Sequence, residues 1–90
     1  MSVAATISQK LTAAFQPARL EVIDESHQHA GHVGSRPGGE THFAVVIAAQ
    51  AFAGKSRVER QRLVYAVLAQ ELAGPVHALS VRALAPAEAG

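Results

Sequence analysis

Three of the chain's five histidines crowd one Gly-flanked stretch, His27-Gln28-His29-Ala30-Gly31-His32, and its ninety residues include no cysteine. The other two, His42 and His77, stand at the starts of strand-like segments. Imidazole is the commonest protein ligand for metals and the one side chain that titrates unperturbed near neutrality, so this clustering points to metal chemistry. Without a thiolate the chain cannot hold an iron–sulfur cluster alone or form a disulfide. Soft-metal chemistry would have to borrow sulfur from a partner, which describes an accessory protein better than a self-sufficient enzyme. The His-x-His-x-x-His spacing also suits zinc held by nitrogen alone.

Other chemistry-bearing residues are less well provided for. Asp24 and Glu40 flank the histidine stretch, where carboxylates cap turns or orient the second nitrogen of a ligating histidine. No nucleophile accompanies them as an acid/base pair, and Ser26 and Ser35 lack a nucleophile-elbow context. No catalytic residue is expected. Lys55, Arg57, Arg60 and Arg62 make up four of the eight basic residues and fall within one turn and one helix start. Basic side chains there oppose the helix dipole, so they are candidates for phosphate contacts, and the bland alternative is a solvated face diluted by Glu59. A net charge of +1 gives no global field of the kind that draws nucleic acid. No apolar run approaches a membrane span, and the first residues lack the basic and apolar regions of a secretory signal. The expected address is cytoplasmic, although a removed transit peptide leaves no trace in a mature chain.

The elements that must position these residues follow from periodicity and punctuation. Ile7, Leu11, Ala14 and Phe15 share one helical face, with Ser2 or Thr6 as cap and Pro17 as stop. Leu20 to Asp24 is short, rich in branched residues and strand-like. Residues 25–39 turn to His, Gly, Ser and Pro, a loop long enough to be functional. Thr41 to Ala49 alternates, with Phe43, Val45 and Ile47 on one side. Ser56-Arg57-Val58-Glu59 has capping-box spacing. It opens a helix that buries Leu63, Val64, Val67, Leu68 and Leu72 and closes at Gly74-Pro75. Val76 to Leu84 reads as a last strand, and Pro86-Ala87-Glu88 as a frayed tail. The result is one α-β-β-α-β domain over residues 1–90 with short flexible termini. Its first two strands should be antiparallel, and the last should run parallel to the second through a crossover. In that topology His42 and His77 lie at the same end of the sheet as the histidine loop.

Asp24-Glu25-Ser26, the loop histidines, Glu40-Thr41-His42-Phe43, Phe52-Ala53-Gly54-Lys55-Ser56, Arg60-Gln61-Arg62-Leu63-Val64-Tyr65 and Val76-His77-Ala78-Leu79 follow one another as in BolA-like proteins. The resemblance covers residues 7 to 84. It implies an α+β fold with a three-stranded mixed sheet, helices on one face and a small extra turn before the second long helix, similar to the class II KH domain. It also implies partnership with a monothiol glutaredoxin and glutathione. A [2Fe–2S] cluster would be shared through His77 and one loop histidine, His29 by its position after Asp24-Glu25-Ser26, with His32 or His27 the alternative. The isolated protein, a monomer or weak homodimer, would carry no cofactor. Some BolA-like proteins bind DNA as transcription regulators, which makes Lys55, Arg57, Arg60 and Arg62 the second candidate site. Where the family commonly has Arg-His-Arg, this chain has Arg60-Gln61-Arg62, and no Gly-x-x-Gly clamp of the RNA-binding KH type appears between its helices.

Overall fold

The computed structural model describes residues 2–25 and 41–89. The first helix, α1, spans Val3–Phe15, and Ser2 caps it by accepting from the Ala5 amide. Thr6, the other candidate cap, lies in the first turn with its hydroxyl donating to the Ser2 carbonyl. Pro17 disfavours helical backbone in the residue before it. Gln16 accordingly turns left-handed (φ 46°) while its amide still reaches Thr12. Ile7 and Leu11 are wholly buried and Phe15 leans on Phe52, whereas Ala14 is exposed.

Strand β1 (Arg19–Asp24) pairs antiparallel with β2 (His42–Ala48), and β2 pairs parallel with β3 (Ala78–Leu84), so β2 is central. Val45 stands opposite both Val22 and Val81. The expected alternation holds: Phe43, Val45 and Ile47 are buried, while His42, Ala44 and Val46 are half-buried. The buried side meets Ile7 and Leu11 of α1, Phe52 of a 3-10 turn at Gln50–Phe52, and Val64 and Leu68 beyond it, in one apolar core. That 3-10 turn is the small extra turn implied by the resemblance.

Helix α2 (Arg57–Val67) opens on the expected capping box. Ser56 Oγ accepts from the Glu59 amide at 3.1 Å, and Glu59 Oε1 accepts from the Ser56 amide at 2.8 Å. The Ser56 backbone amide, and after it the Ser56 hydroxyl, hold the Glu59 carboxyl below its ordinary range. The single helix expected as far as Gly74 bends at Leu68 and continues as α3 (Ala69–Ala73). Amide bonds from Leu68 to Val64 and from Leu72 to Leu68 bridge the bend, so it is a kink rather than a reversal. Leu68 stays in the core, and the nearly buried Glu71 meets Lys10 of α1 at 2.8 Å. The last strand starts two residues later than expected, because Val76 and His77 spend their amides on Glu71 and Thr41. The tail expected to fray instead forms a helical turn, α4 (Pro86–Ala89). Glu88 pins it by accepting from the Ala85 amide at 2.6 Å and from Arg60 at 2.7 Å. Among the described residues no helix is long and apolar enough to cross a membrane.

Candidate functional site

Because β2 and β3 are parallel, both begin at one end of the sheet, and the segment between β1 and β2 joins at that same end. The Glu25 amide donates to the His42 carbonyl at 2.8 Å, extending the β1–β2 ladder by one residue. Thr41 is wholly buried. Its carbonyl accepts from the His77 amide at 2.7 Å and the Ala78 amide at 3.2 Å, and its hydroxyl lies 2.8 Å from His42 Nδ1. One residue thus fastens the start of β2 to the approach to β3 and restrains the His42 ring. The rings of His42 and His77 stand 6.5 Å apart, tilted by 32°. His77 is exposed while its backbone is held, which suits an imidazole offered to a ligand outside the chain.

His27, His29, His32 and Glu40 lie outside the described residues, as do Ser26 and Ser35. What is described are the two stems, Glu25 and Thr41, which flank the His42–His77 edge. Among the described residues no group of three or more His, Asp or Glu side chains could hold a metal. That edge therefore brings two imidazoles together, and further donors must come from residues 26–40 or from a partner. A donor set of nitrogen without sulfur fits part of the coordination of an iron–sulfur cluster and not all of it.

The basic residues divide. Lys55, Arg57 and Arg62 are exposed and form no ion pair among the described residues. Arg60 is engaged internally: Nε donates to the Lys55 carbonyl at 3.0 Å, and Nη1 to the Ala83 carbonyl at 3.0 Å and to Glu88. The Arg60 guanidinium, and after it the Ala85 amide, hold the Glu88 carboxyl below its ordinary range. Sequence reasoning missed Arg82, which lines a groove of about 610 Å³ together with Lys55, Arg57 and Arg60. Its signal was present, since in the expected strand Arg82 alternates with the inward-facing Val81 and Ala83. Gln61, where the family commonly has histidine, donates to the Tyr65 hydroxyl at 3.2 Å, and Tyr65 donates to the Leu79 carbonyl at 2.8 Å.

Residues 11–88 match the family model described as BolA-like protein. The chain belongs to the BolA-like family. It is 52% identical over 89 residues to a Sinorhizobium protein described as an uncharacterized protein in the cobS 5' region, covering 98% of this chain and 96% of that one. It is 48% identical over 88 residues to BolA-like protein 1 of Pongo abelii, covering 98% of this chain but only 61% of the relative's length. It is 44% identical over 81 residues to the DNA-binding transcriptional regulator BolA of Escherichia coli K12, covering 90% and 73%. Among solved structures, the BolA domain of SufE1 from Arabidopsis thaliana superposes with a TM-score of 0.88 at 48% identity, covering 98% of this chain and 96% of that one. The expected α+β BolA fold, with its three-stranded mixed sheet, is the fold observed.

Proposed function

We propose that this BolA-like protein works as a non-catalytic iron–sulfur partner. It would pair with a monothiol glutaredoxin carrying glutathione, and a [2Fe–2S] cluster would be its shared or transferred cargo. The observation that carries the reading is the placement of His77. Its imidazole is exposed, its amide is locked to Thr41, and the stems of the histidine-bearing segment lie on the same sheet end. His77 would supply one ligand and the segment a second, His29 first and His32 as the substitute, with the sulfur donors coming from the partner and glutathione. Neutral imidazoles in place of thiolates make a cluster less negative and raise its potential. The chain's own part is to present His77 on a fixed backbone and to supply a second imidazole from residues 26–40.

The test is to mix the protein with glutathione-loaded holo-glutaredoxin and record visible absorption and circular dichroism. A new spectrum is expected, absent from either protein alone and lost in His77→Ala. A stable [2Fe–2S] spectrum from this protein reconstituted by itself would overturn the shared-ligand reading. A second reading, DNA binding, is favoured by the similarity to the DNA-binding transcriptional regulator BolA of Escherichia coli and by the exposed cations Lys55, Arg57 and Arg62 with Arg60 behind them. Two to four phosphate contacts imply a log–log salt slope of about −2 to −4, from roughly 0.9 per phosphate. Such binding would be weak and insensitive to sequence. Tight, selective binding at physiological salt would promote the regulator reading over the cluster one.

A further inference from the structure

The groove beside α2 is walled on its other side by the outer edge of β3. The Leu84 carbonyl accepts from Ala49 at 3.0 Å, so Leu84, and by alternation Arg82 and Ser80, turn their backbone polar groups towards β2. Leu79, Val81 and Ala83 turn theirs outward. Two of those outward carbonyls already have donors, Tyr65 at Leu79 and Arg60 at Ala83. Between them the strand offers the amide and carbonyl of Val81, on a floor flanked by Arg57, Arg82 and Lys55. Those three cations form no ion pair among the described residues. Glu88 shows what the groove accepts. Its carboxylate is seated on a guanidinium and a backbone amide, a pair of donors suited to a carboxylate.

We propose that this groove docks an extended, acidic segment of a partner protein. Its backbone would pair with Val81, its carboxylates would lie against Arg57, Lys55 and Arg82, and Glu88 would hold part of the site in the free protein. Charge complementarity selects this occupant. No aromatic side chain lines the groove, so single-stranded nucleic acid would lack a stacking platform. A second copy of the chain pairing through the same edge would set arginine against arginine. The proposal does not rest on the cluster reading, since none of its residues lies at the histidine end of the sheet.

The test is a fluorescence-anisotropy titration of the whole protein with three labelled probes of equal length. They are a peptide of alternating glutamate and alanine, its glutamine counterpart, and oligothymidylate. The glutamate peptide should bind, the glutamine peptide should not, and the amide signals of Val81 and Arg82 should move in NMR spectra as it binds. Arg57→Gln with Arg82→Gln should weaken binding roughly tenfold, the scale of one strong charge-assisted contact. Glu88→Gln should tighten it roughly two- to threefold, as expected for removal of an exposed competitor. His77→Ala should leave it unchanged. Equal binding of the glutamine peptide, tighter binding of oligothymidylate, or an unchanged affinity in the double variant would overturn the proposal. So would weaker binding in Glu88→Gln. Arg60 is left intact throughout because it holds the fold together at this place.

Discussion

The two ends of β3 use the same kinds of side chain in opposite ways. At its start, His77 is held through its backbone amide and leaves its imidazole exposed beside the His42 ring. At its other end, Arg60 crosses from α2 and distributes its guanidinium among Lys55, Ala83 and Glu88, so that only 13% of the side chain remains exposed. The first arrangement spends no side-chain chemistry on stability, and the second spends nearly all of it. A functional side chain is thus better recognised by what its backbone and its head group each do than by residue type. Arg60 belongs to a basic cluster on paper and acts as a clamp in the structure, whereas Arg57 and Arg82 keep their charge available.

Four substitutions or titrations sharpen this contrast. The largest effect should come from His77→Ala, which is expected to abolish the heterocomplex's visible circular dichroism. Its own unfolding free energy should stay within about 0.5 kcal/mol of the parent, as is usual for exposed positions. A protein that unfolds on losing His77 would make the imidazole a structural part and erase the contrast. Next, Arg60→Ala should cost about 1–2 kcal/mol in urea denaturation, because the partly buried Ala83 carbonyl loses its donor. The cluster spectrum should survive that change. Lys10→Met should destabilise by a comparable amount, about 1–3 kcal/mol, since it strands the nearly buried Glu71 carboxylate between α1 and α3. In that variant neither end of β3 should lose its chemistry.

The smallest effect is a titration. Arg60 holds the Glu88 carboxyl below its ordinary value of 4.5. A carboxyl depressed on folding stabilises the folded state fully above that ordinary value, and the contribution is lost as pH falls through the lower, folded value. The Ala85 amide, which donates to that carboxylate, should therefore become less protected from exchange in acid relative to the central strand, and Glu88→Gln should remove the difference. Protection at Ala85 that is independent of pH would mean that α4 is held by something other than its carboxylate.

Much of this architecture was legible in the chain. Alternation at Phe43, Val45 and Ile47 located β2, Ser56 with Glu59 located the start of α2, and the order of elements placed His42 and His77 together. The kink at Leu68 was not legible, because the apolar spacing on either side continues as if the helix were straight. Nor was the folded tail. Pro86-Ala87-Glu88 is too short to signal a helix by periodicity, and its order depends on Arg60, twenty-eight residues away. Arg82 does not stand out in the sequence because it is isolated there from other cations, and the groove brings it to Arg57 and Arg60 of α2 and to Lys55 just before it. The three loop histidines are conspicuous in the sequence and lie outside the described residues.

The double acceptance at the Thr41 carbonyl bears on how this family can vary. Both stems of the histidine-bearing segment are tied into the sheet before the segment begins, at Glu25 and at Thr41. The entropic cost of closing a flexible connection grows only by about 0.6 kcal/mol for each doubling of its length. Because the stems and the His77 amide are anchored by their own backbone bonds, changes in sequence between the stems leave the backbone at position 77 held as before. Under the proposed cluster reading, a lineage could retune what residues 26–40 offer while inheriting the placement of His77 unchanged.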